Sequence, residues 1–275
     1  MAVARAVAAA LAAFAAVQTP TQAAEPSAMS EAAADGLQPW PYPPPAAAGW
    51  WTDRWPAAPE ARDPLAGRPA DRWGAPTPVA NGVDPLLYRL WGLTPLQAQL
   101  LDPREAILEV WVRPARTVRQ AVVRVVLRRD GKAFVSARAG LACCEPDIAR
   151  RVDVDAELSA EARERLRAVA EDPLWSAPAR VRVVEDADAA DAICVDGAAY
   201  DLTRLQRGSA VSVRRACADA EVGQAAAVLD AVLGAARGLD PRLDAALPDA
   251  AEFRRARDAY EALVAGGGAL KPARP

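Results

Sequence analysis

Ala106-Ile107-Leu108-Glu109-Val110-Trp111-Val112-Arg113 is the stretch that decides the fold. Successive side chains of a strand point to opposite faces, so Leu108, Val110 and Val112 share one face and Glu109, Trp111 and Arg113 the other. A second alternating stretch runs from about Gln120 to Arg128 and sets Val123, Val125 and Leu127 against Arg124 and Arg128. Asp130-Gly131 is a hairpin turn signal, and Lys132 to Arg138 forms the returning strand. An antiparallel sheet tolerates arginines on a face left in water. The pattern therefore predicts a meander with one buried and one solvated face.

Reading outward, Leu86, Leu87, Leu90, Trp91 and Leu93 form a short amphipathic stretch that Pro95 interrupts. Downstream, Ser159 is placed to cap a helix carrying Glu161 in its first turn and Leu166 and Val169 on its apolar side. The helix stops by Pro173, with Leu174 and Trp175 as core anchors at its exit. Strand character returns at Arg180–Val184 and at Ala192–Val195, and then in a second hairpin, Tyr200–Leu205 and Ala210–Arg214, turning at Arg207-Gly208. Asp219 is expected to cap the next helix, in which Val222, Ala226, Leu229 and Leu233 recur at helical spacing. A last helix opens on the capping box of Asp249 and Glu252 and ends at Gly266-Gly267-Gly268. Strands grouped in hairpins and helices occurring singly predict an α+β fold, an antiparallel sheet built from two hairpins with flanking helices.

The N-terminal part has a different character. Residues 1–23 hold Arg5, an apolar run from Ala6 to Val17 and then Thr21-Gln22-Ala23, the pattern of a signal peptide cleaved after Ala23 or Ala24. The run falls short of the ~20 residues that cross a bilayer, so no transmembrane helix is expected after cleavage. No cysteine follows the cleavage point, which argues against a lipid anchor. The 68 alanines and the mere two lysines, Lys132 and Lys271, suggest a GC-rich bacterial genome, and the expected location is periplasmic or secreted. Residues 24–82 contain half of the 24 prolines and five of the eight tryptophans, and read as a disordered linker. An exposed indole tends to find a surface, so Trp50, Trp51 and Trp55 are candidate contact residues within that linker. The domain is expected over 83–265, and a disordered tail over 266–275.

The chain of 275 residues contains no histidine, which removes Ser-His-Asp and Cys-His catalysis and the usual histidine-ligated zinc sites. Its net charge of -3 gives no sign of a nucleic-acid partner. The cysteines stand at 143, 144, 194 and 217. An exported chain with an even count suggests disulfides. Cys194 and Cys217 flank the second hairpin at comparable distances from its turn and are the favoured pair. Cys143-Cys144 is then a vicinal disulfide or two free thiols. The acidic runs Asp153–Glu157 and Glu185–Asp191 lack the glycine and distal glutamate of a calcium loop and read as solvated loop charges. Arg124, Arg128 and Arg214, with Arg129 and Arg215, are expected along the open face of the sheet, as a solvated surface or as a basic groove for an anionic partner.

Several stretches carry a resemblance: Arg128-Arg129-Asp130-Gly131; the helix Leu158-Ser159-Ala160-Glu161-Ala162-Arg163-Glu164-Arg165-Leu166; Pro173-Leu174-Trp175-Ser176-Ala177-Pro178; Asp196-Gly197-Ala198-Ala199-Tyr200-Asp201-Leu202; and the Arg207-Gly208 turn before a closing alanine-rich helix. Over roughly Glu109 to Ala236 the chain resembles a family of uncharacterised exported proteins of GC-rich bacteria. The resemblance implies location and fold and no activity. The expected function is a non-catalytic binding or envelope-associated module, with no cofactor, whose partner is a protein or a cell-envelope component. The competing classes are a carboxylate-dependent hydrolase and a thiol redox protein.

Overall fold

The structure, a computed structural model, describes residues 77–116, 119–141, 152–184 and 197–273. Six strands make one antiparallel sheet: β1 (Ala106–Pro114), β2 (Arg119–Leu127), β3 (Ala133–Leu141), β4 (Val152–Glu157), β6 (Ala198–Gln206) and β7 (Ser209–Ala216), in the spatial order β4-β3-β2-β1-β6-β7. β5 (Val181–Val184) and β8 (Ala269–Pro272) form a separate two-stranded ribbon. The helices are α1 (Pro85–Leu90), α2 (Ala160–Ala170), α3 (Asp219–Gln224), α4 (Ala226–Gly234), the single turn α5 (Pro241–Asp244) and α6 (Ala250–Ala265). The α+β reading holds, and both hairpins sit where the alternation placed them. Gly131 and Gly208 turn them with φ of 83° and 76°, a region costly for residues bearing a Cβ.

One face of the sheet carries Leu108, Val110, Val112, Val123, Val125 and Leu202, packed beneath the helical layer through Leu166, Leu229, Leu233 and Phe253. The layer is tied down by local chemistry. The Ser159 hydroxyl accepts the Ala162 N–H at 3.2 Å, and Asp249 accepts the Ala251 N–H at 2.9 Å. The helix expected to be capped by Asp219 has Ala218 as its N-cap with no side-chain bond, and it breaks at Ala225 into α3 and α4. α3 lies so close to α6 that a Cβ built on Gly223 would stand 2.0 Å from the Ala256 carbonyl oxygen.

The second face is not the solvated surface that the alternation predicts. Val83, Tyr88, Trp91, Leu93, Leu96 and Leu101 cover it and form a second core with Ile107, Trp111, Val122, Val126 and Leu205. Trp111 is the hub, meeting Tyr88 and Trp91 edge-on at centroid distances of 5.6 and 5.5 Å. Thr77 ties this cap to the tip of the β6–β7 hairpin: its hydroxyl accepts from the Gly208 N–H and donates to the Gln206 carbonyl.

Three further differences are instructive. The run Asp153–Glu157, expected as loop charges, is the body of strand β4, its Val152, Val154 and Ala156 facing the helical layer. Residues 269–272, expected in a disordered tail, form β8. Arg180–Val184 is a strand, but its antiparallel partner is β8, far along the chain. Among the described residues no helix is long and apolar enough to cross a membrane. The segments containing the leader, Trp50, Trp51, Trp55, Cys143, Cys144, Cys194, the acidic run 185–191 and the expected strand 192–195 lie outside the described residues.

Candidate functional site

Arginines organise the polar chemistry of the molecule, and they do so in three different ways. The first is fully buried. Arg124, on β2, is 1% exposed and donates through Nε to Glu109 Oε2 at 2.7 Å, while Glu109 is 0% exposed on β1. The same carboxylate receives the Tyr88 hydroxyl at 2.5 Å and the Trp111 indole N–H at 2.8 Å on Oε1. Arg124 also donates to the Thr94 carbonyl at 2.6 Å and lies 5.1 Å from the Tyr88 ring centroid. Burial first, and Glu109 next, push the Tyr88 phenol far above its ordinary range, so Tyr88 keeps its proton and donates it to Glu109. Arg124, expected on an open face, is therefore a clasp between sheet and cap and is closed to any partner. Arg128, expected beside it, sits at the end of the hairpin with Nε 3.6 Å from Asp130.

The second is on the outermost strand pair. Arg138 on β3 is buried and holds Asp155 of β4 through both carboxylate oxygens, at 2.9 and 3.0 Å, with Asp153 at 3.4 Å. The acidic run considered for calcium is thus engaged by a guanidinium and by Lys132, which stands 3.6 Å from Glu157. Among the described residues no group of three or more metal-ligating side chains converges.

The third is at the opposite end of the sheet, where Arg214 lies, and it is open. Asp201 on β6 is shared by Arg113 of β1, at 3.0 Å, and Arg214 of β7, at 3.1 Å, two cations to one carboxylate. Arg180 bridges Arg214 in parallel, and the Arg214 N–H donates to the Ala179 carbonyl at 2.7 Å. Arg182 stands two residues on from Arg180 and so shares its face of the ribbon, directly opposite Lys271 of β8. Arg180, Arg182 and Arg214 also line an open trough of about 1230 Å³, with Cys217, Asp219 and Glu221 and the small side chains Ala216, Ala218 and Ala262.

Behind this surface, Arg215 is buried and donates to the Gln224 side chain at 2.9 Å and to the carbonyls of Pro178 and Ala179, at 3.1 and 3.2 Å. It pins the loop before β5 against β7 and α3. Burial brings its pKa down to about 10, which leaves it charged at neutral pH. The Glu221 carboxyl is pushed above the ordinary glutamate range by burial, against the pull of the Val183 and Ala216 backbone N–H groups and of Arg215. Cys217, at the lip of the trough, is exposed and has φ of 71°. It is the only non-glycine described residue in the left-handed region.

Sequence reasoning named Arg214 but missed Arg180, Arg182, Lys271 and Arg113 as its neighbours. The signal for Arg180 and Arg182 was their alternation within the strand Arg180–Val184; nothing local marked Lys271 as the residue facing them. Comparison with protein-family models and with curated proteins gives no match to this chain.

Proposed function

We propose that the chain is an exported, non-catalytic binding module, periplasmic or secreted after removal of residues 1–23, which makes its contact through the cationic end of the sheet around Arg180, Arg182 and Arg214. The observation that carries this reading is the arrangement of like charges: Arg180 opposite Arg214 and Arg182 opposite Lys271. Like charges directly across a pair of strands repel; Asp201 offsets part of that repulsion at Arg214, and an anionic partner would offset more.

The carboxylates support binding over carboxylate catalysis. Glu109, Asp153, Asp155 and Asp201 are each engaged by arginine, whereas a glycoside-cleaving site holds two carboxyls across an open cleft. Glu221 and Asp219 both line the trough, but they are two apart on a helix and do not face each other. In the same reading Cys217 pairs with Cys194, and a bonded Cys217 serves as a brace instead of a redox thiol. Peptide mapping without reductant would recover the Cys194–Cys217 cross-link.

The experiment is site-specific photo-cross-linking in the native envelope. A photoreactive residue at Arg180 is expected to capture a discrete partner, and the same residue at Arg165 on α2, remote from the surface, is not. Equal capture from both positions, or none from Arg180, would overturn the reading.

A further inference from the structure

The chain holds a single asparagine, Asn81, and a glycine follows it. In an Asn-Gly pair the backbone nitrogen of the glycine reaches the preceding side chain with the least obstruction, because glycine has no Cβ to block a close approach. Here Gly82 is exposed, has φ of 71° and has open space where a Cβ would stand. The same asparagine is wired to the buried clasp between cap and sheet. Its Nδ2 donates to the Tyr88 hydroxyl at 2.7 Å, and that hydroxyl donates in turn to Glu109. Its Oδ1 accepts the Val83 N–H at 3.1 Å. Both ends of the amide are therefore held while the cap is closed.

Opening of the cap breaks both bonds, and the reaction then needs only water. The Gly82 nitrogen bonds to the Asn81 Cγ, the Cγ–Nδ2 bond breaks, and Nδ2 leaves as ammonia with the proton that the Gly82 nitrogen gives up. Water adds to either carbonyl of the cyclic imide and opens it to aspartate or to isoaspartate. Neither product replaces the amide. Burial and Glu109 keep the proton on Tyr88, committed to Glu109, so the phenol oxygen is left to accept from position 81. A carboxylate there has no proton to give and brings a second negative charge towards Glu109, while Arg124, the cation of the clasp, already holds Glu109 at 2.7 Å. Isoaspartate also lengthens the main chain just ahead of Val83, a residue of the second core.

We infer that Asn81 is a spontaneous modification site guarded by the closed cap, and that its conversion to aspartate or isoaspartate irreversibly weakens the hold of the cap on the sheet. Local opening exposes the site for a fraction of the time, so the converted fraction accumulates as a record of cap opening.

The test is peptide mapping by mass spectrometry, with ammonia release, on the full mature chain held at mildly alkaline pH, both folded and in denaturing guanidinium chloride. Conversion of Asn81 is expected in both, slower in the folded chain by about tenfold or more, since a guarded site reacts only through its open population. Y88F removes the hydroxyl that holds Nδ2 and speeds conversion in the folded chain by about threefold or more. N81Q, whose longer side chain closes the ring poorly, slows ammonia release from the unfolded chain by about tenfold or more against a wild type in which Asn81 is the single asparagine. N81D lowers the thermal midpoint at neutral pH, and the gap to wild type narrows at a pH low enough to protonate the new carboxyl, which then donates to Tyr88 as the amide does. If N81D does not fold, hydrogen exchange of Val83–Leu101 in partly converted wild-type protein serves instead, and faster exchange in the converted fraction supports the inference. Equal conversion rates in the folded and unfolded chain, no conversion of Asn81 in guanidinium chloride, or a cap whose stability and exchange are unchanged by conversion would overturn it.

Discussion

The two faces of the six-stranded sheet are built from the same strands and covered by different means. Beneath the helices the side chains are mostly Leu, Val and Ala, with Tyr200 edge-on to Phe253 and polar bonds confined to the margin, where Arg204 donates to the Ala170 carbonyl, so shape and volume are most of what the helical layer must satisfy. Beneath the cap, the apolar surface of Ile107, Trp111, Val122, Val126 and Leu205 surrounds a charged centre in which Glu109 answers Tyr88, Trp111 and Arg124 together. A hydrophobic layer can slide or repack with modest loss. A buried carboxylate with three donors accepts one register, because any slip strands a charge away from water. The short cap, with α1 and one 3-10 turn as its regular structure among the described residues, is positioned by polar geometry where the helices are positioned by area.

The comparison is broken most severely at Glu109. Glu109→Ala leaves Arg124 buried without its counter-charge and is expected to cost about 3–5 kcal/mol, read as a fall in the thermal or urea midpoint. The double change Glu109→Leu with Arg124→Met should recover much of that loss; if the double variant is no better than the single one, the cost lies in packing and the contrast between the faces fails. On the helical side, Leu108→Ala should cost about 2–5 kcal/mol, while Leu108→Met should stay under about 1.5 kcal/mol, since volume is what that face requires. Gly223→Ala drives a methyl into the Ala256 carbonyl and is expected to cost on the order of 1–3 kcal/mol by forcing α3 off α6. Ser159→Ala removes one helix cap, about 1 kcal/mol, measurable by denaturant titration.

The smallest effect is a slope. A carboxyl whose folded pKa is raised binds more protons in the native state than in the unfolded chain, so the stability it contributes is present at low pH. That contribution is lost as pH rises from the ordinary glutamate range through the elevated pKa of Glu221. Stability curves of wild type and Glu221→Gln should therefore diverge over that window, with the variant losing less as pH rises. Parallel curves would mean that Glu221 is not held out of water.

Much of this was legible in the residues themselves. Ile107–Val112 and Val123–Leu127 announced β1 and β2, Asp130-Gly131 and Arg207-Gly208 announced the turns, and Ser159 and Asp249 announced helix starts, because each signal is local and depends on only a few neighbours. The cap was not legible, because period-two alternation separates two faces without saying what covers the second. Glu109 and Arg124 looked like solvent-facing charges since a sequence does not reveal that they sit opposite each other in the β1–β2 register. In Val152–Glu157 the acids drew attention away from the valines between them, although the alternation was that of a strand. The pairing of β5 with β8 joins segments almost ninety residues apart, so the cationic end exists only after folding brings Lys271 to Arg182.

β4 closes the sheet at one side, with Asp153, Asp155 and Glu157 along it. A second molecule adding its own β4 there would bring acidic rows against each other while its backbone sought to pair. The strand therefore limits growth of the sheet by repulsion. Substituting Glu157, which is outside the Arg138 cluster, with Gln would weaken that repulsion, and self-association at high protein concentration would reveal how much the edge owes to its charge.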